Sequence, residues 1–204
     1  MWSNALLAPL PKGKLFVLCS PAGAGKTTLL RKIIHAFPDI KTSPSYTTRS
    51  RRSDEVDGRE YHFVLRVEFL RRQAAGEFLE TIELHGQLYG TSRREITSLL
   101  AAGRHVFLAI DTRGAFSLQK IFDPVLIFLK APSLSVLRER LIGRGSEDAV
   151  LVETRLDWAK RELAEEKHFH YSIVNDSLED AFSVLASILV AETHRVSSSV
   201  RDRT

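Results

Sequence analysis

Short apolar runs alternate with longer amphipathic stretches along this chain, and that alternation predicts an α/β fold. Lys14 to Cys19 (KLFVLC), His105 to Asp111 (HVFLAID), Val125 to Lys130 (VLIFLK) and a short Ser172 to Val174 are β-leaning runs, the reading for buried parallel strands. Between them the apolar positions take helical spacing. Helices are expected from Lys26 to a stop at Pro38, and over Arg93 to Ala102, Ser133 to Leu141, Val150 to Glu166 and Leu178 to Thr193. The stretch from Ser45 to Thr91 breaks the alternation: it is polar, with β-like pieces at Tyr61 to Leu65 and Phe78 to Leu84 and one helix near Val67 to Ala75. We read it as an inserted lobe. Gly143 to Asp148 (GRGSED) joins two helices and suits a short lid hinged on glycine. The expected organisation is therefore one domain over residues 1–195. Its core spans 14–44 and 92–195, its lobe 45–91 and its lid about 143–150, followed by a disordered tail at 196–204.

Bulk properties narrow the function classes. A length of 204 residues and 44% hydrophobic content suit one domain with an ordinary buried core. The net charge of +4 is modest, and the basic residues gather around candidate phosphate sites and form no lysine-rich tail. A small anionic substrate accounts for this, and no nucleic-acid partner is expected. Cys19 is the only cysteine, which excludes an intrachain disulfide and a thiolate zinc site. The opening MWSNALLAPLPK lacks a basic region and a cleavage site. No run approaches the roughly 20 apolar residues of a membrane helix. A cytoplasmic protein with no membrane partner is expected, with monomer and dimer both open.

The chemistry concentrates in two places. Ser20, Pro21, Ala22, Gly23, Ala24, Gly25, Lys26, Thr27 and Thr28 (SPAGAGKTT) follow the first strand and open the first helix. The phosphate-loop pattern wants Gly, four residues, then Gly-Lys-Ser/Thr; here Ser20 replaces the first glycine. The loop works through inward backbone N–H groups at the positive end of a helix, and these survive the change. Lys26 would reach the β- and γ-phosphates, and the Thr27 hydroxyl would help hold Mg²⁺. About twenty residues on, Thr47 to Val64 supplies fixed cations and a tyrosine for a second phosphate. Two anion sites this close suggest an enzyme that holds two phosphorylated molecules at once.

From Thr47 the chain reads T-T-R-x-x-R-x-x-E-x-x-G-x-x-Y-x-F-V, which resembles the signature of the guanylate kinase family. The resemblance continues through F-L-E (Phe78 to Glu80), Y-G-T-S (Tyr89 to Ser92), G-R-G (Gly143 to Gly145) and I-V-N-D (Ile173 to Asp176). It covers nearly everything between Lys14 and Arg195. It implies a P-loop kinase core with a parallel sheet flanked by helices, a mixed α/β lobe binding the nucleoside monophosphate, and a short lid. It also implies Mg²⁺-dependent transfer of the γ-phosphoryl group of ATP to GMP, and to dGMP as well, giving ADP and GDP. By the family pattern Arg49, Arg52, Tyr61 and Tyr89 grip the GMP phosphate, and Ser45, Glu80, Thr91 and Asp111 surround the base. Asn175 would contact adenine. Arg144 in the lid and Arg155 would close over the triphosphate, joined by Arg140, which lies one helical turn before Arg144 and would face the cleft with it on a continuous helix.

The residue types fit that chemistry independently. Guanine presents N1–H and N2–H₂ side by side, and the Glu80 carboxylate can accept both. Adenine would leave that carboxylate unpaired, and sites built this way can discriminate by factors on the order of 10⁴. Hydroxyls of Ser45 and Thr91 can donate to O6 and N7, while paired guanidinium groups give planar phosphate contacts that lysine would not. A phosphate acceptor needs no strong general base, and none of the seven histidines stands in a base constellation. The pattern departs in one place: the family usually carries Asp-Ile-Asp-x-Gln-Gly, and this chain has Ala109-Ile110-Asp111-Thr112-Arg113-Gly114. On a strand, 109 and 111 face the same side, so Asp111 or ordered water is expected to cover the magnesium shell, with Thr27 and the ATP phosphates supplying the rest. Two other readings compete. A non-catalytic family-like module is disfavoured by Lys26, Arg144 and Arg155. A kinase for another phosphorylated acceptor, such as a sugar bisphosphate, is disfavoured by Ser45, Glu80 and Thr91.

Overall fold

Residues 2–8, 10, 12–53, 55–84, 86–143 and 149–196 are described by a computed structural model, with backbone alone at 149 and 150. In chain order the regular elements are β1 (Leu15–Cys19), α1 (Lys26–Ala36), β2 (Ser45–Thr47), β3 (Tyr61–Phe63), α2 (Arg66–Ala74), β4 (Phe78–Leu84), β5 (Gln87–Ser92), α3 (Arg93–Ala101), β6 (Val106–Ala109), α4 (Thr112–Gln119), β7 (Val125–Lys130), α5 (Leu134–Ile142), α6 (Ala149–Ala164), β8 (Tyr171–Val174) and α7 (Leu178–Thr193). Single 3₁₀ turns stand at Asn4–Leu6 and Glu166–His168.

The four apolar runs pair as one parallel sheet in the order β6-β1-β7-β8. Successive strand residues point to opposite faces. Phe16, Leu18, Phe107, Ile127 and Leu129 therefore meet α1 and α7 through Leu29, Ile33, Leu185 and Leu189. The intervening Val17, Cys19, Leu108, Leu126 and Phe128 meet α3 and α4 through Ile96, Leu100, Ala115 and Leu118. Both faces are dry, which is why these strands read as unbroken apolar runs. A third cluster sets Ala24 of the glycine-rich loop on Leu137, Leu141, Val152 and Leu156 of α5 and α6. The second sheet is mixed, in the order β3-β2-β5-β4, with β2 and β3 parallel and β4 and β5 a hairpin. Phe69, Phe78 and Leu88 fill its core. α4 packs on β4 and joins the two sheets.

The expected α/β architecture holds, with local corrections. β6 stops at Ala109, so 109 and 111 do not share a strand face; Asp111 is the N-cap of α4, a helix the apolar spacing did not reveal. Its signal is weak because Gly114 lies inside it. β2 and β5 were also unread as strands, being short or polar. The helix expected to Glu166 ends at Ala164 and gives way to the 3₁₀ turn. α5 ends at Ile142 with Gly143 as its cap, and the expected pairing of Arg140 with Arg144 involves a residue outside the described ones. Of the expected lid, 144–148 lie outside the described residues, as does 197–204 of the expected tail.

The C-terminal helix is tied to the first strand by a buried charge. Glu192, 4% exposed, accepts from Lys14 Nζ at 2.8 Å, from the Tyr171 hydroxyl at 2.6 Å and from Arg195 at 3.4 Å. Burial alone would push its carboxyl up, but the hydrogen bonds from Lys14 and Tyr171 hold it below the usual range. Removing the cation leaves that charge buried. Lys14→Met is expected to cost about 2 kcal/mol in urea unfolding. A loss below about 0.5 kcal/mol would show the pair to be replaceable.

Candidate functional site

The first anion site is made by backbone. Gly23 and Gly25 take φ of 88° and 98°, which turns the loop between β1 and α1. Gly25 is the N-cap of α1 and supplies no side-chain acceptor, whereas α3, α4, α5 and α7 are capped by Ser92, Asp111, Ser133 and Ser177. The first amides of α1 are thus left for an external anion. Lys26 crosses from this turn to donate to the Ile110 carbonyl at 3.2 Å, while Thr27 and Thr28 are exposed. The Ser20 hydroxyl is buried at the foot of the loop with no partner among the described residues. Pro21 accepts from the Ala24 amide in the turn that carries Ala22.

The Asn175 amide nitrogen donates one of its two N–H groups to the Ala24 carbonyl at 2.7 Å, so the side chain braces the phosphate loop. A Cβ at Gly25 would come within 2.3 Å of that nitrogen, so the glycine is what lets the brace in. Arg140 donates to the Asn175 carbonyl at 3.0 Å. Both line a cavity of about 380 Å³ with Gly23, Gly25, Thr28 and Leu178. Arg155 lies on α6, and Arg144 is outside the described residues.

The second anion site is made by side chains. Arg49 donates to Glu55 at 2.7 Å and lies over the rings of Tyr61 and Phe63, 5.3 and 5.6 Å from their centroids. Tyr89 meets Tyr61 edge to face at 5.9 Å. Ser45 faces Tyr61 and Thr47 faces Tyr89 across the strand pairs. Glu55 also accepts from the Arg52 amide at 2.8 Å, leaving the Arg52 side chain exposed. Burial would raise the Glu55 carboxyl, but Arg49 and the Arg52 amide hold it low, and burial pushes the Tyr61 phenol up. Glu55 was quoted in the motif without a role; its place three residues after Arg52 and six after Arg49 was the available signal.

Between these sites stands Glu80. A bulge puts one extra residue on β4 between Phe78 and Glu80 and sets Glu80 opposite Thr91. The Thr91 hydroxyl donates to Oε1 at 2.5 Å. Oε2 is buried and has no partner among the described residues. Burial pushes the carboxyl up to about 7, against the Thr91 hydrogen bond and with help from Asp111. Asp111 accepts from the Gly114 amide at 2.8 Å and from Arg113 at 3.3 Å, so each of its oxygens already has a duty. Glu162 on α6 was missed altogether. Its carboxyl is also pushed up to about 7 by burial, opposed by Lys26. No motif spacing could reveal a residue brought to Lys26 only by packing.

A phosphate loop facing a cationic lobe defines a phosphotransferase class with two anion sites. Comparison with known proteins narrows the class. The family model for guanylate kinase matches residues 12–192. A guanylate kinase of Protochlamydia amoebophila is 45% identical over 93% of this chain and 96% of its own length. One of Thermotoga maritima is 42% identical over 91% of this chain and 90% of its own. The crystal structure of guanylate kinase from Anaplasma phagocytophilum superposes with a TM-score of 0.76 at 32% identity, covering 94% of this chain and 90% of that one. The chain belongs to the guanylate kinase family.

The raised Glu80 carboxyl has a stability consequence. Its folded value lies above the unfolded one, so the folded state binds the extra proton between them; the charge costs nothing below about pH 4.5 and its full penalty applies above about pH 7. The stability of Glu80→Gln relative to the parent should therefore rise by about 2 kcal/mol between about pH 5 and about pH 8. A difference independent of pH in urea unfolding would contradict the buried charge.

Proposed function

We propose that this protein is an ATP:GMP phosphotransferase, acting on GMP and dGMP in the cytoplasm and yielding GDP or dGDP with ADP. The observation that carries the base assignment is the Glu80 carboxylate. One oxygen is fixed by Thr91 and the other is buried without a partner, which suits a ligand edge offering two adjacent N–H donors. Guanine has that edge and adenine does not. Asp111, facing the same space, adds a further acceptor, and Ser45 adds a hydroxyl for the opposite edge of the base. The single Thr91 proton is already given to Glu80, so Thr91 does not make the expected donation to O6 or N7. Arg49 is already ordered by Glu55 and two rings, so little rotamer freedom is lost when it takes the acceptor phosphate.

The transfer itself asks for alignment and charge neutralisation. The uncapped amides of α1 and the Lys26 ammonium hold the donor phosphates, and Arg140 and Arg155 with the lid's Arg144 balance the charge that spreads over the migrating group. The acceptor phosphate attacks as an anion, so no side chain needs to remove a proton. Mg²⁺ fits this donor set through Thr27, an exposed oxygen donor in the first turn of α1, with substrate phosphates and water completing its shell. When bound, the ion offsets the charge of the β- and γ-phosphates. Asp111 caps α4 and pairs with Arg113, and its remaining acceptor capacity is assigned to the base, with water in place of the family's first aspartate at the metal.

A coupled assay offering GMP, dGMP, AMP and UMP with ATP tests the reading. GMP and dGMP should turn over, with kcat/KM for AMP lower by roughly 10⁴. Comparable use of AMP or UMP would overturn the base assignment. Lys26→Ala should lower turnover by at least about 100-fold through lost charge stabilisation. Activity above about a tenth of the parent would remove Lys26 from the donor site.

A further inference from the structure

We infer that Gly114 is a positioning residue for guanine recognition, kept free of a side chain so that the Glu80 carboxylate can occupy its place. The inference rests on the assignment of Glu80 to the base. Gly114 lies inside α4, buried, and its φ is not in the left-handed region, so alanine could adopt its backbone. Helix propensity favours that exchange by about 1 kcal/mol, so the backbone gives no reason for a glycine here. The surroundings give one. A Cβ at 114 would stand 3.1 Å from Glu80 Oε2, 3.3 Å from Glu80 Cδ and 3.3 Å from Asp111 Oδ1.

The direction in which the site would yield is set by what is already tethered. Asp111 Oδ1 holds the Gly114 amide at 2.8 Å and caps the helix. Glu80 Oε1 is fixed by Thr91 at 2.5 Å. The atom left to move is Oε2, the oxygen without a partner, and it is the one that would meet the guanine edge. A methyl group would therefore displace the recognition atom by a few tenths of an ångström while leaving the fold intact. A hydrogen bond off its distance and angle by that much is weakened steeply.

Gly114→Ala, Glu80→Gln, Glu80→Asp and the double variant Gly114→Ala/Glu80→Asp test this, with GMP, AMP and ATP kinetics and thermal unfolding. Gly114→Ala should raise KM for GMP about tenfold and narrow the GMP-to-AMP preference, with KM for ATP within about twofold. Its unfolding midpoint should hold or rise. In the Glu80→Asp background, where the carboxylate is one methylene shorter, the alanine should cost GMP use less than it does alone. An unchanged KM for GMP in Gly114→Ala, or additive effects in the double variant, would overturn the role of Gly114 while leaving Glu80 in place. If Glu80→Gln itself spared GMP use, the base assignment and this inference would fall together.

Discussion

A carboxylate is sealed at the joint of two sheets with one oxygen hydrogen-bonded and the other unpartnered among the described residues, and the proposed base recognition is organised around that arrangement. Thr91 of the lobe fixes one oxygen of Glu80, and the N-terminal turn of α4 from the core closes over the other. Burial raises its pKa to about 7, so the ligand-free fold bears an electrostatic cost. A ligand that donates two hydrogens removes that cost, and a ligand that presents an acceptor adds to it. On the proposed assignment of Glu80 to the base, selectivity follows from a shortfall in the folded state, which is where stability and activity pull apart.

The two anion sites solve the same problem by different means. The donor side relies on the peptide backbone: α1 alone among the helices that flank the parallel sheet with a described cap lacks a side-chain acceptor there, and its first amides follow two glycines. Such a site is assembled as soon as β1 and α1 pack, and Asn175 braces it from β8's end. The acceptor side relies on ordered guanidinium. Arg49 is held by Glu55 and stacked on two rings before any phosphate arrives, so its charge is kept in a half-buried place with its partner. A planar, pre-set fork suits a single monophosphate, whereas a row of amides suits the longer triphosphate.

What the sequence disclosed and what it hid divide along a physical line. The four core strands were legible because both their faces are buried, which makes their apolar runs continuous. The phosphate loop and the arginine stretch were legible because their residues are contiguous and spaced by local backbone geometry. α4 was hidden, since a glycine inside it and a short length blur the 3.6-residue period. The bulge at Leu79 was hidden as well; one extra residue leaves no compositional mark, yet it decides where Glu80 points. Asp111 was read as a strand residue because HVFLAID is apolar almost to its end, while its capping bond to Gly114 shows the helix already beginning there. Glu162 could not be found at all, being joined to Lys26 only through the packing of α6.

Positions 109 and 113 show how this chain differs from the family pattern without losing its architecture. Alanine removes a negative charge at the end of β6, and arginine adds a positive one four residues later. Arg113 donates to Asp111 at 3.3 Å and to the Glu83 carbonyl of β4 at 3.0 Å, so it ties the core helix to the lobe strand that carries Glu80. It also opposes the burial that raises Glu162, next to Lys26. Both exchanges make the floor of the cleft less negative, which suits a site that must admit two polyanions together. The same side chain that shifts the charge also secures the joint on which the proposed recognition carboxylate depends, so on that proposal the electrostatics of transfer and the geometry of base recognition meet in α4's first turn.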